Sequence, residues 1–225
     1  MYAEPVRPAT KVRYDGGMNS EQFVSLLGTV RASAILRTSI ADAAAPAMEA
    51  AVRGGFRIVE FTLTTPGALD RIEEFARRDG LVVGAGTVLT VEAARDAVRR
   101  GARFLVSPIV DEAVIEEAAV LGVSMLAGCH TPTEMMRAHH AGAPVLKLFP
   151  APASGPDYVR ACLGPLPFLK IVPTNGVTEG NARAWLLAGC LAVGFVSSLF
   201  DPDDLGNGRF DRTEKKARNC LASLG

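Results

Sequence analysis

Residues 98–108 read VRRGARFLVSP: a basic segment, a glycine, and then, after Ala102-Arg103, an uncharged run of which Phe104, Leu105 and Val106 are strongly apolar. Glycine enters the left-handed backbone region without a Cβ clash, so it is where a helix stops. A continuous apolar run suits a strand covered on both faces, because only a half-exposed strand needs alternation. The phrase recurs. Gly54, Gly122, Gly142 and Gly189 each precede an apolar run, at 58–60, 124–127, 145–148 and 191–194. Further runs at 34–36, 81–84 and 169–172 complete the set, their centres roughly 20–25 residues apart.

Between the runs lie helical stretches with readable starts. Thr65-Pro66 predicts one, with threonine as cap and proline in the first turn. Thr131-Pro132-Thr133-Glu134 is a capping box, and Thr90 and Asp111 cap two more. An open doubly wound sheet usually stops at five or six strands. Eight strand–helix units of near-constant length therefore predict an α/β chain folded as a single (β/α)8 TIM barrel. The stretch DPDDLGNGRFD interrupts the pattern before an additional C-terminal helical tail over 212–221. The expected organisation is an N-terminal extension over 1–19, partly flexible, a barrel over 20–205, and a loop and helix over 206–225 packed on it.

Composition narrows the classes. The chain has 225 residues, 48% of them hydrophobic, with 24 acidic and 24 basic side chains, enough for one substantial core and neutral overall. That balance gives no sign of a nucleic-acid partner. No run approaches the ~18 apolar residues of a membrane span, and residues 1–17 contain no apolar signal core. Cysteines at 129, 162, 190 and 220 have no ligand-like spacing and read as reduced thiols, with Cys162 and Cys190 buried. A cytoplasmic enzyme acting on a small molecule is the expectation.

In a barrel of this kind the site lies at the C-terminal ends of the strands. Those ends present Arg37, Glu60, Gly84-Ala85-Gly86-Thr87, Ser107-Pro108, Gly128-Cys129-His130, Lys147, Pro173-Thr174-Asn175-Gly176, and Gly194 with Ser197 beyond it. Lys147, inside VLKLFPA, asks for an explanation, since lysine is costly to bury. Its ammonium can escape to a solvent edge, pair with a hidden carboxylate, or serve chemistry as a neutral amine. If it points inward, desolvation lowers its pKa and frees it to attack a carbonyl. Glu60 is the carboxylate that ends an early apolar strand and is the matching acid–base candidate. A buried Lys147–Glu60 ion pair without chemistry is the competing reading.

The last two strand ends, with Thr174, Asn175 and Gly176 on one and Gly194 and Ser197 on the other, suit phosphate, which such barrels often hold there. The turn at 84–87 is too short for a nucleotide fingerprint and reads as a tight turn into the next helix. Metal is the chemical rival. His139 and His140 lie late in one helix, toward the wrong face, and Cys129-His130 lacks a third ligand, so no metal is expected.

Taken in order, AILR, GGFRIVEFTLTTP, VGAGTVLT, FLVSPIVDEAVI, AGCHTPTE, VLKLFPA and GPLPFLKIVPTNGV resemble one family over residues 31–200. It is that of the class I 2-keto-3-deoxy-6-phosphogluconate and 2-keto-3-deoxy-6-phosphogalactonate aldolases, similar to 4-hydroxy-2-oxoglutarate aldolase. The resemblance implies a Schiff base on Lys147, proton transfer by Glu60, and no cofactor beyond that covalent imine. It implies a carboxylate site at Thr87 with Arg37, a pocket shaped by Pro108 and Phe149, phosphate at Gly176 and Ser197, and a homotrimer. Two places depart from the family. Thr64 stands where gluconate-type enzymes commonly carry arginine, and Asn175 replaces a glycine of the phosphate loop. Asparagine tolerates the left-handed backbone that this turn would need. Other readings of the same residues are 4-hydroxy-2-oxoglutarate cleavage, a sugar-phosphate isomerase or epimerase, and a non-catalytic barrel that binds a phosphorylated metabolite.

Overall fold

A computed structural model describes residues 18–225. Residues 1–17 of the expected N-terminal extension lie outside the described residues. Eight parallel strands are present: β1 Ala32–Leu36, β2 Ile58–Thr62, β3 Val82–Gly86, β4 Phe104–Val106, β5 Ser124–Cys129, β6 Val145–Leu148, β7 Ile171–Pro173 and β8 Val193–Phe195. Each neighbour in sequence is a neighbour in the sheet from β1 through β7, and β8 pairs with β1. The Thr174–Gly194 bridge and the Leu191 N–H donating to the Ile171 carbonyl close β7 onto β8. The result is a (β/α)8 barrel.

Strand limits differ from the apolar runs in one consistent way. Leu81, Leu169 and Leu191 are apolar but precede the ladder, where they pack at the entry to the sheet. Thr62, Gly86 and Cys129 lie beyond or at the edge of the runs yet pair with a neighbour. Apolarity reports burial, whereas a strand is defined by pairing, and the two end at different residues.

The connecting helices are α2 Ala41–Arg53, α3 Ala68–Ala76, α4 Val91–Arg99, α5 Glu112–Val120, α6 Pro132–His140, α7 Pro156–Leu163 and α8 Ala182–Leu187. The caps at Thr90 and Asp111 and the capping box at Thr131–Glu134 are as expected. Two expectations need correction. The cap of α3 is Gly67; Thr65 is buried and uses its hydroxyl on the preceding loop instead. Gly54 keeps a right-handed backbone, and Gly55, at φ +117°, makes the turn. Gly54 is needed for another reason: a Cβ there would stand 2.3 Å from the Ala217 Cβ.

The helix preceding the barrel, α1 Ser20–Val30, closes its N-terminal end. Phe23, Val24 and Leu27 join Ile58, Val82, Phe104, Val106, Leu126, Val145 and Val172 in the inner core, and Phe23 stacks on Phe104 at 4.6 Å. After β8 come α9 Pro202–Gly206 and α10 Phe210–Ala222. The tail helix therefore starts earlier than its polar sequence suggested, and α10 lies along α2, tied by an Arg53–Glu214 ion pair of 2.8 Å. Asp204, 4% exposed, anchors the corner by accepting from Lys216 and Arg212. Among the described residues no helix is long and apolar enough to cross a membrane, and all four cysteines are buried thiols.

Candidate active site

Side chains alternate across a strand, so the inner core tells which residues face the axis. Ile58 and Val145 belong to it, and Glu60 and Lys147 lie two residues further along the same strands. Both therefore point inward, one layer above the plug, with Lys147 opposite Gly128 and Val172 in register. Their neighbours Val59, Phe61, Leu146 and Leu148 belong to the outer core between sheet and helices. This disposes of a snorkelling lysine: the residue is 7% exposed and sits inside the ring.

Missing side chains let the groups around these two residues pack close. Gly84 and Gly86 occupy inward positions on β3. A Cβ on Gly84 would fall 2.3 Å from the Phe104 ring, and one on Gly86 would fall 1.9 Å from Glu60 Oε1. A Cβ on Gly128 would fall 2.1 Å from the carbonyl carbon of Pro108, whose loop folds across β5 beside Lys147. The Gly84–Thr87 segment is thus more than a tight turn. Glycine two residues apart on an inward strand face was the available signal for it.

Burial dominates the electrostatics. It pushes the Glu60 carboxyl above its ordinary range, opposed by the positive charges of Lys147 and Arg37. It pushes the Lys147 amine below its ordinary range, opposed by Glu60 and assisted by Arg37. No nitrogen–oxygen approach within 4.0 Å joins the two among the described residues. Glu60 Oε1 is buried and has no hydrogen-bond partner in the protein. An oxygen so placed calls for a partner from solvent or substrate, because a bare one would cost about 1–3 kcal/mol. The two groups thus share one buried layer without the direct contact of a structural ion pair, and Glu60 Oε1 is open to a partner from outside the protein.

The remaining expected residues fall into two sets. Arg37 follows β1 directly and remains exposed, near enough to bias both buried groups. Thr87 follows β3 with φ +59°, a costly backbone for a β-branched residue and one that clusters at functional sites. The Phe149 ring centre lies 5.1 Å from Lys147 Nζ. Pro108 lies across Gly128, the residue in register with Lys147. Asn175, Gly176 and Ser197 are exposed at the ends of β7 and β8, with Asn175 at φ +55° and Gly176 at φ +129°. Ser198 Oγ donates to the Val177 carbonyl at 2.8 Å, tying the two loops together. Gly194 is buried at the barrel seam. Thr174 separates from this set: it is 2% exposed, follows inward Val172 by two residues, and its Oγ1 has no partner. Its side chain is buried inside the barrel and not at the rim.

The histidines are otherwise engaged. His130 Nδ1 lies 3.1 Å from the Pro150 carbonyl and its ring stacks on Tyr158, while His139 packs on Phe168. Among the described residues no three His, Cys, Asp or Glu side chains gather as a metal site would need.

A model of the KDPG and KHG aldolase family matches residues 24–216. The chain belongs to the KDPG and KHG aldolase family. It is 36% identical over 170 residues to the 2-dehydro-3-deoxy-6-phosphogalactonate aldolase of Escherichia coli K12, covering 74% of this chain and 83% of that one. It is 34% identical over 181 residues to the KHG/KDPG aldolase of the same organism, covering 79% and 84%. Among solved structures it resembles the KDPG aldolase of Legionella pneumophila holding pyruvate as a covalent carbinolamine intermediate. That similarity has a TM-score of 0.77 at 27% identity, over 88% of this chain and 98% of that one. As a KDPG and KHG aldolase family member the chain is a lyase of the class I, metal-independent kind. Isomerase and non-catalytic readings of the barrel are not favoured.

Proposed function

We propose that the protein cleaves a 2-keto-3-deoxy-6-phospho sugar acid, of gluconate or galactonate type, to pyruvate and glyceraldehyde 3-phosphate. The observation that carries the reading is the inward Lys147, its amine depressed by burial, in the same interior as a Glu60 oxygen that has no protein partner. Lys147 attacks the C2 ketone as the neutral amine, forms a carbinolamine and loses water to give an iminium. Glu60, through one water, removes the proton of the C4 hydroxyl. The C3–C4 bond then breaks, the aldehyde departs, and the bonding pair enters the iminium to leave an enamine. Protonation at C3 and hydrolysis release pyruvate and restore the amine. The iminium is itself the electron sink, so the scheme uses no cofactor beyond the covalent imine.

Thr87 and Arg37 hold the carboxylate, while Pro108 and Phe149 flank the imine. Asn175, Gly176, Gly194 and Ser197 hold the phosphate, whose binding energy positions the reacting bond. We place Thr174 deeper, with its unpaired hydroxyl toward the substrate chain. The same reading makes the enzyme a cytoplasmic homotrimer with a small-molecule substrate and no nucleic-acid or membrane partner; a monomer in sedimentation would overturn the trimer.

Borohydride reduction in the presence of pyruvate, followed by peptide mapping, tests the chemistry. A reduced pyruvyl adduct on Lys147 is expected, and Lys147→Met should lose both adduct and turnover while remaining folded. Turnover of either C4 epimer at the wild-type rate by that variant would sink the scheme.

A further inference from the structure

Four threonine hydroxyls near Arg37 have no part in the chemistry described above. Thr65, 2% exposed, accepts the Thr38 N–H on its Oγ1 at 3.2 Å. Its Oγ1 also lies 3.2 Å from Thr62 Oγ1, which in turn is 3.1 Å from Thr64 Oγ1. Thr62 is 4% exposed and follows Glu60 by two residues, so the inner end of the chain borders the site. At the outer end, Thr38 Oγ1 accepts the Ile40 N–H at 3.1 Å, turning the chain into α2.

Arg37 is the residue enclosed by these contacts. On one side Leu36 is held in the ladder against Phe61. On the other side the Thr38 amide is held by Thr65. Thr65 is itself fixed, its N–H on the Thr62 carbonyl at 2.9 Å and its carbonyl accepting from Ala68 at 3.1 Å. Arginine has a long side chain that loses much rotamer freedom when it engages an anion. Arg37 follows Ile35, which packs toward Gly194, by two residues, so strand alternation directs it to the barrel mouth, and a backbone held on both sides keeps the root of that side chain in place. At position 64, close to where this loop crosses the site, the chain carries only an exposed hydroxyl. The anion-binding charge on this side therefore falls to Arg37, whose aim then matters more.

We propose that Thr65 is a positioning residue: its hydroxyl, braced by Thr62, holds the Arg37 loop so that the guanidinium meets the substrate carboxylate. The inference rests on the aldolase reading of Lys147 and is separable from it.

The test measures the pyruvate concentration for half-maximal borohydride trapping on Lys147. Thr65→Val keeps the shape and removes the hydroxyl, and should raise that concentration roughly five- to tenfold, the loss of one hydrogen bond. Trapping at saturating pyruvate should remain near wild type. Thr65→Ser should restore the wild-type value. In an Arg37→Met background, Thr65→Val should add no further change, because the residue acts through the arginine. Thr65→Ala serves the same comparison if the valine variant does not fold. No shift in Thr65→Val, no rescue by serine, or an undiminished effect without Arg37 would each overturn the proposal. Absence of trapping in the wild type would instead overturn the aldolase reading.

Discussion

Glu60 and Lys147 each resist the charge that water would give them, and each is partly supported by the other. Burial raises one and lowers the other, while their mutual attraction works against both shifts. Replacing Glu60 by glutamine removes the attraction that holds Lys147 up. The amine should then titrate at still lower pH than in the wild type, even as turnover collapses. Competitive acylation of Lys147 across a pH series would show its rising limb displaced to lower pH. A displacement to higher pH would mean that the two side chains are not electrostatically linked as described. At this scale the sequence was informative about identity and silent about geometry. Lys147 within an apolar strand and Glu60 at a strand end could be picked out. That Glu60 lies against Gly86, or that Thr174 turns inward, depends on contacts between residues far apart in the chain.

Elements show a different balance. The eight strands and most of the helix caps were legible, because apolar runs and capping side chains are local signals. Thr65 was misread for the same reason: Thr-Pro looks like a helix start, but its hydroxyl is taken by Thr38, 27 residues away. The tail was the least legible element. Helix α10 has only Thr213, Ala217 and Cys220 buried, so its apolar face is narrow. It seats on α2 through a close approach at Gly54, where an added Cβ would lie 2.3 Å from Ala217 Cβ and 2.9 Å from the Glu214 carbonyl. Gly54→Ala should therefore destabilise the fold by about 1–3 kcal/mol through overpacking. Urea denaturation would measure this, with kcat/KM near wild type in the folded variant. Unchanged stability would mean that α10 is loosely docked.

For the whole molecule, the site is a cost carried by the barrel. The folded-state pKa of Glu60 is raised, so its contribution to stability is present below about pH 4.5 and is lost as pH rises through the folded value. Lys147 is lowered, so its contribution is present above about pH 10.5 and is lost as pH falls through the folded value. Both penalties hold together in the neutral window between. The double variant Lys147→Met/Glu60→Gln should thus be inactive yet more stable near neutral pH, by about 1–4 kcal/mol as for other buried charges replaced together. The gain should shrink toward strong acid and strong alkali. Chemical denaturation across pH would check it, and a less stable double variant at neutral pH would refute the account.

The barrel, the family resemblance and the two residues whose chemistry matters could all be read from the chain alone. Each is written in residue type and spacing along the chain, and burial of a charged group in an apolar run is a local anomaly that stands out. It took the closed barrel to show that Lys147 and Glu60 stand apart without an ion pair, with Phe104, Glu60 and Pro108 packed onto Gly84, Gly86 and Gly128, and beside a loop clamped by Thr65. Those are distances between strands that meet only when the barrel closes, and no local pattern records which side chains a closed ring brings face to face.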